Sequence, residues 1–362
     1  MRSRNTGLIL PCRAPSEEQV QRLGYVNPDT SAVPGRNRRR WDVVAACAHR
    51  NLRCEPGQKD GRQVQSGAGD AHPGAGGASA VGESGVPTSL FAVSDLHVAY
   101  EENRRIADAL VPESDDDWLL VAGDVGEKFA DIEAVLRGLR DRFHRVVWAP
   151  GNHELWTHPG DPVRLRGVAR YDALVRMCRD LGVLTPEDDY PVWPGPDGPV
   201  VVAPLFPLYD YSFRVAGAAT KEQSLELAYA AGVVCTDESL LHPDPYPNRE
   251  SWCWARVAAT ETRLAAIDPA LPTVLVSHWP LVRQPTDVLW YPEFAQWCGT
   301  ELTADWHTRF RAVAAVYGHL HIPRSTTYDG VPFEEVSLGY PREWKQRPDS
   351  PAPMRRILGG PR

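Results

Sequence analysis

The sequence predicts an α/β fold built on largely parallel strands, with helices covering the sheet faces. Three observations carry this. Short runs of apolar residues recur along the chain. The first three are separated by stretches with helical character. Each run stops at polar residues, as strands do where an open α/β sheet presents its carboxyl ends to a ligand.

The elements follow in order. Leu90-Phe91-Ala92-Val93 is an apolar run ending at Ser94-Asp95, and residues 101–110 read as a helix. Trp118-Leu119-Leu120-Val121-Ala122 is a second buried strand, ending at Gly123-Asp124, with a helix over 129–142. Val146-Val147-Trp148-Ala149 is a third, ending at Gly151-Asn152. Strands alternating with helices imply parallel pairing, with both sheet faces covered. Val200-Val201-Val202-Ala203 leads into Pro204-Leu205-Phe206. Thr273-Val274-Leu275-Val276 ends at Ser277-His278, and Ala312-Val313-Ala314-Ala315-Val316-Tyr317 at Gly318-His319.

The segments between are read as follows. Residues 55–87 are rich in Gly, Ala and Ser and bury too little to offset their ordering entropy, so 1–87 is expected to be a weakly structured extension and linker. Within it, residues 41–47 suggest a short helix or strand. Residues 88–340 are expected to form the globular domain. Its long stretches at about 156–199 and 207–270 are expected to rise over the strand ends as inserted caps. Residues 341–362, rich in Pro and Arg, read as a loosely packed tail.

Composition narrows the setting. The 362 residues are 43% hydrophobic, enough for a sizeable core, and carry a net charge of −8, which argues against a nucleic-acid partner. No apolar run reaches the roughly 18 residues of a membrane span. The apolar stretch Leu8-Ile9-Leu10 is too short for a signal peptide, and the seven Cys show no disulfide spacing, so a cytoplasmic location is expected. Arg outnumbers Lys 35 to 4, so the run Arg36-Asn37-Arg38-Arg39-Arg40 reflects compositional bias more than a binding site. Cys47, His49 and Cys54, with Cys12 or His72, fit no strong zinc spacing.

The chemistry lies at the strand ends. Asp95-Leu96-His97, Gly123-Asp124, Gly151-Asn152-His153-Glu154, His278 and Gly318-His319-Leu320-His321 follow the predicted strands. Each fragment alone is weak, and a Gly-Asp after a strand is often only a turn. Their conjunction is specific. Asp, Asn and His together suit borderline divalent ions such as Mn²⁺, Fe²⁺, Zn²⁺ or Co²⁺. The histidines argue against a site for Mg²⁺ or Ca²⁺ alone, and the absence of Cys against a structural zinc.

These motifs resemble those of the calcineurin-like metallophosphoesterases over about residues 89–340. The resemblance implies an α/β/β/α sandwich and two divalent metal ions, with Mn²⁺ the expected choice in vitro. Asp95, His97, Asp124 and His321 would hold the first ion. Asp124 would bridge to a second, held also by Asn152, His278 and His319. A hydroxide bridging the ions would attack phosphorus in line, and His153 would serve the leaving group as general acid or steady a phosphoryl oxygen. The expected activity is hydrolysis of a small-molecule phosphate ester, as a phosphomonoesterase or phosphodiesterase.

The block Gly123-Asp124-Val125-Gly126-Glu127-Lys128 departs from that of the related serine/threonine protein phosphatases. Glu127 stands where they carry an Asp that orients the catalytic histidine, and Lys128 where they carry an Arg that grips phosphate, a flexible point charge for a rigid fork. A protein phosphatase is therefore the second reading, although Glu154 matches that branch. A nuclease would want a basic groove. A catalytically inactive interaction protein should lack ligands that this chain keeps, and a dinucleotide-binding oxidoreductase should carry a Gly-rich loop where this chain has Asp95-Leu96-His97. Arg214, Trp156 and Trp279 are further pocket candidates, with packing an equal explanation for both rings.

Overall fold

The computed structural model describes residues 88–348, 351 and 353–360. The expected linker, the short element at 41–47, the Arg run at 36–40 and the cysteine–histidine grouping around Cys47 lie outside them.

Two sheets form the centre. The first has the order β10-β1-β2-β3, from β1 (Ser89–Val93), β2 (Trp118–Val121), β3 (Arg145–Trp148) and β10 (Arg355–Gly359). The second runs β4-β5-β6-β7-β9-β8, from β4 (Val192–Gly195), β5 (Gly198–Pro204), β6 (Thr273–Val276), β7 (Ala312–Tyr317), β8 (Arg324–Tyr328) and β9 (Val331–Glu335). Pairings β1–β2, β2–β3, β5–β6, β6–β7 and β7–β9 are parallel. The edge pairings β1–β10, β4–β5 and β8–β9 are antiparallel.

Strand periodicity explains how the layers stack, because alternate residues point to opposite faces. Leu90, Ala92, Leu120, Val147, Val202, Val274, Val276, Ala314 and Val316 share one core, drawn from both sheets. Their neighbours Phe91, Val93, Leu119, Val121, Val146 and Trp148 belong to the other core, with helical residues such as Ile132, Leu136 and Leu174. Strands apolar on both faces thus build an α/β/β/α sandwich.

Helices α1 (Glu101–Asp108) and α2 (Phe129–Arg142) follow β1 and β2, as expected. After β3 come the single turn α3 (Asn152–Leu155) and the longer α4 (Gly167–Leu181), which packs beside α2. The segments expected to be caps are largely framework. The first holds α4 and β4; the second holds α5 (Lys221–Ala230), the short α6 (Asp237–Leu240) and α7 (Arg249–Ala265). Tyr171, Leu174 and Cys178 of α4, and Trp252, Val257 and Leu264 of α7, lie in the helix-side core.

The tail reading is corrected. Pro341–Trp344 forms a helical turn, α9, after a short α8 at Trp306–Arg309, and β10 completes the first sheet. Among the described residues no helix is long and apolar enough to cross a membrane.

Candidate active site

Strands β1, β2, β3, β6 and β7 all end on the same side of the sandwich, and each delivers one motif there. The chain turns sharply at these ends. Asp95, His97, Asp124, His319 and His321 have φ of 55°, 42°, 55°, 70° and 56°. Left-handed backbone is uncommon for residues with a side chain and costs of order 1–3 kcal/mol each. The surrounding packing must hold it. The glycines in the motifs permit close approach instead: a Cβ on Gly151 would lie 2.1 Å from Asp124 Oδ1, and one on Gly318 2.3 Å from Asp95 Oδ2.

The side chains converge. Asp95, His97 and His321 offer ligand atoms within 4.8 Å of one another; so do Asp124, His278 and His319. His97 Nε2 lies 3.1 Å from His321 Nε2, which lies 2.9 Å from Asp95 Oδ1. His278 Nε2 is 3.1 Å from His319 Nδ1, 3.1 Å from Asn152 Oδ1 and 3.4 Å from Asp124 Oδ2. Asp124 Oδ2 is also 4.0 Å from His97 Nε2, so this carboxylate stands between the two groups.

The surroundings aim acceptors into the cluster. His278 Nδ1 is 2.9 Å from the Ala122 carbonyl, and His321 Nδ1 is 2.8 Å from Glu343 Oε2. Each contact takes the Nδ1 proton and turns the other ring nitrogen inward. Asn152 donates its amide to Asp237 at 2.9 Å, which turns Oδ1 inward as well. Lone pairs facing lone pairs at such distances, buried, are satisfied by a cation or a shared proton among them. The donor set of carboxylate, amide oxygen and imidazole therefore fits divalent metal ions.

The protonation preferences agree. Burial lowers His97 to about 4, and burial with the neighbouring His278 lowers His319 to about 3, so both stay neutral as ligands must. Burial also opposes charge on His278, yet Asp124 overrides it and raises the group to about 9. The field at that point favours positive charge.

His153 sits beside this cluster without pointing away from it. Its Nε2 is 3.7 Å from Asp124 Oδ2, and its backbone N–H donates to Asp124 Oδ1 at 3.0 Å. Nδ1 meets Glu127 Oε1 at 3.0 Å, and the ring of Trp156 lies against the imidazole at 3.7 Å between centroids, tilted by 30°. Burial works against a charged His153, but Asp124 and Glu127 outweigh it and raise its pKa. Burial likewise opposes the charged Glu127, and His153 lowers it to about 2.

The other expected residues divide. Glu154 is fully buried and accepts from the backbone N–H groups of Gly151, Asp124 and Val125, so it locks two motif loops together. Burial, then Asp124, pushes it up to about 7. Trp279 is fully buried against Phe206 and Tyr209 and meets His278 edge-on at 5.1 Å; it is a packing ring. Lys128 is exposed at the start of α2. Arg214 is exposed too, and its carbonyl takes a hydrogen bond from Arg283; the structure does not bring it to the cluster.

Several site residues carried no sequence signal. Asp237 of α6 binds both Asn152 and the indole of Trp156, the latter at 2.6 Å. Arg170 of α4 is fully buried and donates to the Glu154 and Glu127 carbonyls and to Asp161. Ser337 reaches Asp95. Phe294 lies over His319, with centroids 5.7 Å apart.

A two-sheet sandwich with such a centre at its strand ends defines a metallophosphoesterase, and the chain belongs to the calcineurin-like phosphoesterase family. The sequence model described as Calcineurin-like phosphoesterase matches residues 88–323. The chain is an enzyme, a phosphoric ester hydrolase. It is 57% identical over 263 residues to the [acyl-carrier-protein] phosphodiesterase PptH of Mycobacterium tuberculosis, covering 73% of this chain and 81% of that protein. The crystal structure of phosphopantetheinyl hydrolase (PptH) from the same organism superposes with a TM-score of 0.75 at 55% identity, covering 76% of this chain and 98% of that one.

Proposed function

We propose that this chain is a dinuclear metal-dependent phosphodiesterase that cleaves the phosphodiester joining a phosphopantetheinyl group to an acyl carrier protein. The observation that carries the substrate is the 57% identity to a protein of that activity. The geometry supports the chemistry independently. Residues 88–360 form the catalytic domain.

In this reading Asp95, His97, Asp124 and His321 hold one ion, and Asp124, Asn152, His278 and His319 the other. Manganese, iron, zinc and cobalt all suit this donor set, and Mn²⁺ is the ion to try first. A bound pair supplies a hydroxide nucleophile at neutral pH and neutralises phosphoryl charge. The protein's own residues do the rest. His153, held by Glu127 on one nitrogen, presents Nε2 on the cluster side and gives its proton to the leaving oxygen. Trp156 fixes the ring plane and shields it from water. Asp237 keeps Asn152 and Trp156 in register, so one buried carboxylate ties the second metal position to the general acid.

The test is mass spectrometry of holo-acyl-carrier protein incubated with Mn²⁺-loaded enzyme. Loss of the phosphopantetheinyl mass, with apo-carrier as product, is expected. Turnover of bis-p-nitrophenyl phosphate without any change in the carrier would move the substrate elsewhere among diesters. A preference for p-nitrophenyl phosphate would favour a phosphomonoesterase. Asp124→Ala, which removes the shared carboxylate, should lose both ions and all activity; two ions per chain retained would refute the bridging assignment.

A further inference from the structure

The segment after β9 touches each protein side chain assigned to the first metal position alone, and it lies beyond residue 323, where the family match ends. Ser337 Oγ lies 2.7 Å from Asp95 Oδ2 and 2.5 Å from Glu335 Oε1, its one proton shared between the two carboxylates. Tyr340 stacks on His97, with centroids 4.5 Å apart and 26° between the planes, and meets His321 edge-on at 4.8 Å. Glu343 Oε2 accepts from His321 Nδ1 at 2.8 Å and from the Tyr340 backbone N–H at 2.8 Å.

The backbone is tied down as well. Leu338 N–H donates to the Ser94 carbonyl at 2.9 Å, and Gly339 N–H to that of Asp95 at 3.1 Å. Asn103, fully buried, donates to the carbonyls of Leu96 and Gly339 at 2.8 and 2.9 Å, closing the Asp95–His97 turn against the segment. Gly339 has φ +78°, and a Cβ there would lie 2.7 Å from Glu343 Oε2. The second position is supported from elsewhere: Asn152 by Asp237 and His278 by the Ala122 carbonyl.

The geometry points to residues 337–343 as a brace for the first metal position, in which Ser337, Tyr340 and Glu343 are positioning residues for Asp95, His97 and His321. This rests on the metal assignment proposed above. A carboxylate on the far nitrogen of a ligating histidine fixes its tautomer and strengthens it as a donor, and removing such a partner typically costs 10–100-fold in metal affinity. The brace should therefore set the affinity of one ion and leave the other unaffected.

The experiment loads the full-length chain with Mn²⁺, titrates it with a competing chelator, and counts bound metal by mass spectrometry. The wild type should release two ions. Glu343→Ala should loosen one of them by about 10–100-fold and spare the other. If Glu343→Ala does not fold, Glu343→Gln retains an acceptor for the Tyr340 N–H and should show the same one-ion loosening, reduced in size. Equal weakening of both ions, the mark of a merely structural role, overturns the brace, as does no weakening. A wild type that never holds two ions overturns the metal assignment instead.

Discussion

At the scale of single residues, His153 is the side chain whose role is easiest to isolate. It is not among the residues proposed to hold the two ions, although its ring lies within 4.8 Å of the ligand atoms of His97 and Asp124, and Glu127 and Trp156 fix it against that carboxylate. His153→Ala should retain two metals and lose turnover by about 10²–10⁴-fold, the usual contribution of a general acid. Single-turnover assays with metal analysis on the same sample check both halves; unchanged turnover would remove it from the mechanism. The sequence made this residue and the clustered carboxylates and imidazoles legible because they sit inside short motifs, each beside an apolar strand. Their supporting residues were illegible for a physical reason. A hydrogen-bond partner needs one polar group at one point in space, with no period and no flanking pattern. Asp237 lies 85 residues from the Asn152 it binds, and Ser337 lies 242 from Asp95.

At the scale of elements, α4 was expected to be part of a cap and is instead a framework helix that reaches back to the site. Its Arg170, fully buried, fixes the carbonyls of Glu127 and Glu154, the two carboxylate residues that contact His153 and the backbone of Asp124. It also pairs with the buried Asp161, at 3.0 Å, which in turn accepts the N–H of Phe129 at the start of α2. A lone arginine on the buried face of a helix carries no sign in the sequence of what it will meet. Arg170→Met removes one partner of a buried pair and leaves Asp161 uncompensated, which costs about 3–5 kcal/mol. Chemical denaturation should show that loss, and adding Asp161→Asn should recover part of it. A single variant as stable as the wild type would mean that the pair does not hold these loops.

At the scale of the whole molecule, the parallel strands and the side on which function gathers followed from apolar runs ending in polar motifs, and the two-sheet sandwich from the family resemblance. The antiparallel edges did not. β8 and β9 carry Thr, Ser, Glu and Pro on a half-exposed ribbon, and β10 reads Arg355-Arg356-Ile357-Leu358-Gly359 in a stretch rich in Pro and Arg. Edge strands bury little, so their sequences need few apolar residues. Yet β10 closes the molecule. It pairs with β1 from Ser89↔Gly359 to Ala92↔Arg355, Arg356 lies over the ring of Phe91 at 5.0 Å, and Arg355 reaches Glu334 of β9 in the other sheet at 2.7 Å. β1 is the strand that delivers Asp95 and His97. Ending the chain at residue 354 should therefore expose the edge of β1, and at about 1 kcal/mol net for each ladder hydrogen bond lost the fold should weaken by several kcal/mol. Metal retention should suffer with it, because the Asp95–His97 turn begins two residues beyond that strand. Thermal unfolding in the presence and absence of Mn²⁺ measures both effects. A truncated chain with the full-length midpoint would show that β1 needs no neighbour on that side.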